Sequence, residues 1–345
     1  MGILSGQSDF FGLDIGTSAI RAVQLKGRGA AKALANYGYV PLSGTTAVSD
    51  AEIDRQKMVQ TIRDLIKQVG IDTKDVAVNL PSHKVFTTII DLDRLLQPDL
   101  AKTIQYQAES FIPTPIAQSK VDWMVIGDSP ADPKKVEVLL SSVPNSYIEG
   151  RLAMLESAGL NVIAMEPDGM ALTRALTSSD TPAPQMVLDI GNSTTDLVIV
   201  MGGAPRLTRS ISVGLQALIR AVAQNLAVDA FQAEQYVTKF GLGRDKLEGR
   251  VFQAVIPTID GLVSEVDKSI KFFYGRYNNA KIDRIIVTGG ASTLPELPLY
   301  LANKFGLNVE IGNSWRNVSA PATRQNELLA VSNHFAVAVG LAERD

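Results

Sequence analysis

The tetrad Leu-Asp-Ile-Gly occurs twice in this chain, at Leu13–Gly16 and, half a chain later, at Leu188–Gly191. Each copy closes an apolar, β-prone run and opens a small polar turn. The turns are Gly16-Thr17-Ser18 in the first copy and Gly191-Asn192-Ser193-Thr194 in the second. An aspartate at the end of a buried strand puts a carboxylate at the mouth of a sheet. The turn behind it offers backbone N–H groups and hydroxyls with little side-chain bulk, the makings of a nest for phosphate oxygens. Two facing carboxylates, Asp14 and Asp189, would suit Mg2+, which takes hard oxygen ligands, keeps several waters and bridges to phosphates. A single copy reads as a β-hairpin with a capping aspartate. Two copies at this spacing read as a phosphate clamp between two similar domains, since an internal repeat fixes architecture.

A third element points the same way. Val287-Thr288-Gly289-Gly290-Ala291-Ser292 follows an apolar strand and precedes a helix, and its glycines let backbone approach a ligand closely. Glu265, Lys268 and Ser269 share one helical face at i, i+3 and i+4. They read either as a solvated Glu–Lys pair or as a polar grip on a ribose or base. Asp196 is expected to brace the second loop. Other nucleotide motifs are missing: there is no G-x-x-x-x-G-K-[ST], and Gly241-Leu242-Gly243 lacks the third glycine and the preceding strand of a dinucleotide fingerprint.

Composition narrows the classes further. The 345 residues carry 33 Lys+Arg against 36 Asp+Glu, a net charge of −3 that gives no basic surface for nucleic acid. Zero cysteines exclude disulfides, thiolate nucleophiles and thiolate metal sites, and the only histidines, His83 and His334, cannot build a metal cluster. Met1–Gly12 lacks the basic start and apolar run of a signal peptide, and Gly6 stands where myristoylation needs Ser or Thr. The most apolar stretch, Met186–Ala204, is interrupted by Asp189, Asn192, Ser193 and Asp196, so no membrane span is expected and a cytoplasmic location is the default.

The elements that must position these residues alternate strand and helix. A three-strand meander (Phe10–Ile15, Ala19–Lys26, Ala33–Leu42) is followed by an amphipathic helix over Asp50–Val69 and a strand at Asp75–Leu80. From about Lys84 to Ser157 the pattern becomes strand–helix–strand–strand–helix, an α+β unit that reads as an insertion. A strand at Leu160–Met165 and a helix from Pro167 return to the first half. The second half restarts with a meander (Met186–Ile190, Asp196–Met201, Pro205–Ile211). A helical stretch over Leu215–Phe240, another over about Lys246–Arg276, a strand at Ile282–Val287 and a helix near Leu294–Phe305 complete it. The expected division is 1–83, first half; 84–157, insert; 158–183, return and connecting helix; 184–332, second half; 333–345, a C-terminal helix packing on the first half.

In this order the motifs resemble the actin-like ATPase superfamily of actin, heat-shock chaperone ATPases, sugar kinases and FtsA. Asp14–Ser18 is similar to its first phosphate loop, Asp189–Asp196 to its second, and Val287–Ala291 to its adenosine motif. Glu166-Pro167 before a helix resembles the first connecting segment, whose acidic residue positions the attacking water, and Ala338–Ala342 resembles the second connecting helix. The Phe11–Ser18 opening, the Glu109–Pro113 segment of the insert and the Ala336–Ala342 tail resemble the PilM family of type IV pilus assembly proteins. Absence of a linker and amphipathic targeting helix after Asp345 favours that branch over FtsA.

This resemblance implies an α/β fold of duplicated, ribonuclease H-like actin domains with an FtsA-like α+β subdomain inserted. It implies ATP and Mg2+ in the cleft, with Asp14, Gly16, Thr17 and Ser18 on one side and Gly191 to Thr194 on the other. Gly289, Gly290 and Ala291, with Glu265, Lys268 and Ser269, would hold the nucleoside; Glu166 would be catalytic; Asp14 and Asp189 would hold the metal. Asn192-Ser193 stands where related ATPases carry further glycines, which points to binding with slow turnover. The implied partner is the cytoplasmic N-terminal segment of the inner-membrane protein PilN, with other platform or motor components and self-association as further contacts. Membrane attachment would then be indirect, for a pilus or a related type II secretion-like machine. A filament-forming, FtsA-like scaffold and a small-molecule kinase stay open as alternatives.

Overall fold

A computed structural model describes residues 9–27, 32–42, 51–95, 97–178 and 181–344. The reading of the N-terminus as lacking a targeting signal falls mainly on residues 1–8, outside this set.

Strands β1 (Phe11–Ile15), β2 (Ala19–Lys26) and β3 (Lys32–Pro41) form the expected antiparallel meander, and helix α1 (Glu52–Val69) leads to β4 (Asp75–Leu80). The insert follows as β5 (Phe86–Asp93), α2 (Gln97–Phe111), β6 (Ser119–Asp128), β7 (Lys135–Pro144) and α3 (Asn145–Ser157). Next come β8 (Asn161–Pro167) and α4 (Asp168–Leu176). The second half runs β9 (Gln185–Ile190), β10 (Thr195–Met201), β11 (Ala204–Ile211), α5 (Leu215–Leu226), α6 (Ala230–Phe240), α7 (Arg250–Arg276), β12 (Arg284–Thr288), α8 (Leu297–Phe305), β13 (Asn308–Ile311) and β14 (Val318–Ser319). Helices α9 (Gln325–Val331) and α10 (Ala336–Ala342) close the chain.

Topology repeats along with sequence. One core sheet is ordered β3-β2-β1-β4-β8, with β14 added at the β3 edge, and the other β11-β10-β9-β12-β13. In both, an antiparallel meander is continued by two parallel strands. The fold is the actin-like duplication. The central strands are buried on both faces, as parallel crossovers demand.

Two short helices join the halves crosswise. Helix α4 ends the first half yet packs on β10 and β11 of the second sheet, while α10 ends the second half and packs on β1, β2 and β4. Every residue of α10, Ala-Val-Ala-Val-Gly-Leu-Ala, is buried, as an all-round apolar helix must be. Gly12 makes its docking feasible: a Cβ there would lie 2.3 Å from the Ala338 carbonyl oxygen.

Two expectations are revised. The stretch Leu215–Phe240 is two helices, because Ala227 takes a left-handed φ of 54° and the Asp229 side chain caps the second by accepting from Gln232 N–H. The insert is shorter in packing than 84–157. Its three-stranded sheet and α2 share one core, from Ile90 and Leu92 to Leu100 and Ile104, whereas Met154 and Leu155 of α3 pack with Ile62 and Leu65 in the first-half core. The insert also grips the opposite half. Glu137 on β7 accepts hydrogen bonds from Arg206 of β11 and from Arg276 and Tyr277 at the end of α7, at 2.8–2.9 Å.

Candidate functional site

The duplicated loops face each other across a cleft of about 980 Å³ between the core sheets. Asp14 stands near the end of β1 and Asp189 near the end of β9. Each loop is closed by the same backbone bond, Gly16 N–H to Ala19 O at 3.0 Å and Gly191 N–H to Thr194 O at 2.9 Å. The following residues are left to face the cleft, and the Ser193 and Thr17 hydroxyls meet across it at 3.4 Å. The second loop is gripped from behind by α5, whose Leu215 and Gln216 N–H groups donate to Gly191 and Asn192 carbonyls. The glycine needed for this closeness is Gly214, where a Cβ would sit 2.7 Å from Asn192 O.

Gly289 and Gly290 line the same cleft after β12. Gly289 has a φ of +84°, and a Cβ there would meet Asp189 Oδ1 at 2.3 Å, so only glycine lets this turn lie against the carboxylate. Ala291 is fully buried and donates its N–H to Ile190 O, buttressing the turn from beneath.

Four carboxylates form the floor: Asp14, Asp168, Asp189 and Asp196. Arg21 pairs with Asp14 at 3.1 Å, and Asn79 links the first loop to Asp168, accepting from Ile15 N–H and donating to Asp168 Oδ1 at 3.0 Å. Asp196 Oδ1 is buried with no hydrogen-bond partner among the described residues. Burial, then repulsion from Asp196 and Asp14, pushes Asp189 up to about 7; burial followed by Asp196 pushes Asp168 well up. Burial also raises Asp14, with Arg21 opposing. No three acidic or imidazole groups among the described residues converge tightly enough to cage a metal unaided.

A raised carboxylate pKa contributes stability that is complete below the unfolded value, near 4, and is lost as pH rises through the folded value. The ligand-free protein should therefore lose stability between about pH 4 and 8 from this floor. Asp189→Asn keeps the shape and removes the charge, so its melting temperature at pH 8 should exceed that of the wild type, with the gap closing toward pH 5. Thermal unfolding across that range checks it; a variant less stable at pH 8 would mean that Asp189 is held by attraction rather than strained by burial and repulsion.

Several expected residues lie elsewhere. Glu166 is buried outside the cleft, clamped by Arg174 at 2.8 Å and Arg344 at 2.7 Å, because it points from β8 toward α10. Two residues on, Asp168 at the start of α4 faces the cleft instead. Glu265, Lys268 and Ser269 do share a face of α7, but that face meets β11: Arg209 donates to Glu265 at 2.8 Å and to Ser269 at 3.3 Å, and Lys268 pairs with Glu265. Lys268 and Glu265 pair at the surface, while Ser269 is buried beneath them. From α6 it is Glu234 that reaches the cleft, and His334 faces Gly290. Asn79 and Asp168 were detectable as polar residues at the ends of apolar strands beside Pro81 and Pro167. Nothing in the local sequence marks Glu234.

A family model described as type IV pilus assembly protein PilM matches residues 12–345. Among solved structures, one titled as a PilM–PilN type IV pilus biogenesis complex is 24% identical, covers 97% of this chain and 98% of that one, with a TM-score of 0.83. The ethanolamine utilization protein EutJ from Carboxydothermus hydrogenoformans is 16% identical over 96% of this chain and 88% of its own, TM-score 0.58. MreB5 of Spiroplasma citri, solved with ADP bound, is 14% identical over 97% and 95%, also at 0.58. At these identities the likeness to the solved structures is one of fold.

Proposed function

The chain belongs to the family of the type IV pilus assembly protein PilM, and on that premise we propose that it is an ATP-binding adaptor of pilus assembly. Its nucleotide would organise a surface for the cytoplasmic N-terminal segment of a PilN-like inner-membrane protein. The observation that carries the reading is the clamp: two like loops meet at Thr17 and Ser193 over a floor of four carboxylates.

The donor set fits Mg2+. All four floor groups are hard oxygens, Asp196 Oδ1 lacks a partner among the described residues, and the cost of their burial and mutual repulsion is what a bound dication would relieve. Asp14 and Asp189 would hold the ion largely through its waters, and the ion would supply charge neutralisation to phosphate oxygens. Thr17, Ser18, Asn192, Ser193 and Thr194 would receive the phosphates, with Arg21 shared between them and Asp14. Gly289 and Gly290 would face the nucleoside, with Ala291 as their support.

Turnover would be slow. Glu166 is engaged by two guanidiniums and does not line the cleft, which argues against it as the water-positioning group. Asp168 takes that place in our reading, its carboxyl raised by burial and then by repulsion from Asp196, and Asn192-Ser193 in place of further glycines leaves the second loop less closely wrapped around a transferring phosphoryl. ATP then acts mainly as a clasp between the halves: at about 100 times its dissociation constant a ligand adds roughly 2.7 kcal/mol to native stability. No helix among the described residues is long and apolar enough to cross a membrane, consistent with attachment to the inner membrane through the partner. The solved complex of PilM with PilN lends that partner its support.

The test is fluorescence anisotropy of a labelled N-terminal peptide from the cognate PilN-like protein, titrated with this chain and Mg-ATP. Saturable binding that disappears when nucleotide is removed, and is weakened about tenfold by Asp14→Ala, is the expected result. ATP bound without peptide binding at any concentration would return the filament and kinase readings.

A further inference from the structure

The cleft holds a cationic group that the two phosphate loops leave unexplained. Lys84 sits where the chain leaves the first half after β4, and Tyr147 and Arg151 sit on α3, where it returns. Tyr147 and Arg151 are four residues apart and share one face of that helix. Both cations lie over the Tyr147 ring, Lys84 Nζ 5.8 Å and the Arg151 guanidinium carbon 5.7 Å from its centroid. All three line the same cleft as Asp14 and Asp168. Neither cation forms a salt bridge among the described residues, and Arg151 Nε is buried without a partner. The missing salt bridge, not the bare Nε, sets Arg151 apart: Arg206 Nε is also without a partner among the described residues, but Arg21, Arg174, Arg206 and Arg276 are each paired with a carboxylate. Arg151 acts on Asp14 only from a distance, through its charge, and a half-buried guanidinium with no directly bonded anion costs free energy until one completes it.

Position identifies the anion. The glycine turn for the nucleoside follows β12, which lies beside β9 in its sheet; the equivalent place in the first sheet is the end of β4, and there Pro81, His83 and Lys84 stand. A nucleotide lying from the β12 end across the loops would present its last phosphate to the β4 end. Resting on the nucleotide reading above, we propose that Lys84 and Arg151, held by Tyr147, form the receptor for the terminal phosphate of a bound nucleoside triphosphate. Both chain crossings between the first half and the insert would thereby touch the group that distinguishes ATP from ADP, so that the insert is drawn in only by the triphosphate.

Calorimetric titration of ATP and ADP, each with saturating Mg2+, into the full chain tests this. Arg151→Gln should weaken ATP about tenfold, the value of one charge-assisted hydrogen bond, and ADP less than twofold. Lys84→Gln, at an exposed position that should not disturb folding, should act in the same direction, and Arg151→Lys should recover part of the loss. Equal loss for both nucleotides, or none for either, overturns the receptor while leaving the adaptor reading intact. A wild-type chain that binds neither nucleotide overturns both.

Discussion

Glu137→Ala is expected to destabilise the protein by about 3–5 kcal/mol, the usual consequence of removing one member of a buried charge cluster. The side chain is 1% exposed and Arg206 8% exposed, so neither can fall back on water. Glu137 Oε2 takes the Arg206 hydrogen bond at 2.9 Å, and Oε1 takes those of Arg276 and Tyr277 at 2.9 and 2.8 Å. Arg276 reaches on to Asp91 of β5 at 2.9 Å. Without the carboxylate, Arg206 keeps, among the described residues, the Ile126 carbonyl alone, and its Nε already has no partner among them. The loss should be local at first: hydrogen exchange in β5 to β7 should accelerate while β9 and β12 stay protected. Replacing the pair together, as Glu137→Met with Arg206→Met, should recover much of the stability, because it removes the stranded cation as well. Chemical denaturation of the three variants decides the matter. A single variant as stable as the wild type would show that the apolar contact of Ile126 and Leu139 with Ala204 is what holds the insert.

This network also shows where sequence reading runs out. The meanders, the parallel strands that extend them and both aspartate loops were legible because they are local: alternating or continuous apolar runs, broken by Gly-Thr-Ser and Gly-Asn-Ser. The repeated tetrad then fixed their relation. Glu137, Arg206 and Arg276 look like ordinary surface charges in a row, since nothing within a strand tells which partner lies 69 or 139 residues away. Glu166 misled for a related reason. It sits near the end of β8, where its side chain meets Arg174 and Arg344, and the turn of the chain into α4 at Asp168 is what brings the next carboxylate to the cleft. The triad on α7 was found on its helix face, and only tertiary packing against Arg209 decided which way that face points. Residues whose role depends on a loop's own geometry could be read; those whose role depends on what packs opposite could not.

The same limit applies to glycines, and it yields the second large effect. Gly261 and Gly340 both lie inside helices, α7 and α10, and sequence alone gives both the same forecast: replacement by alanine should help by about 1 kcal/mol through helix propensity. For Gly261 that forecast stands, since a Cβ there meets nothing within 4 Å. For Gly340 the sign reverses. A Cβ would lie 2.0 Å from the Ala171 carbonyl oxygen and 2.6 Å from its carbon, both backbone atoms of α4 that cannot rotate away. On its other side α10 is pressed to β1 at Gly12, so it cannot retreat either. The Gly340 carbonyl also accepts from Arg174, whose position is set by Glu166, so a displaced helix loosens that ion pair too. Gly340→Ala should therefore cost about 3 kcal/mol, at the upper end for an overpacked core. Because α4 and α10 are the crossed helices between the halves, it should also weaken nucleotide binding by spreading the two loops apart. Thermal unfolding of the two variants side by side provides the reading: Gly261→Ala shifted upward and Gly340→Ala downward. Equal shifts would mean that the helices do not cross this closely in solution, and the cleft would then lose the junction that fixes Thr17 against Ser193.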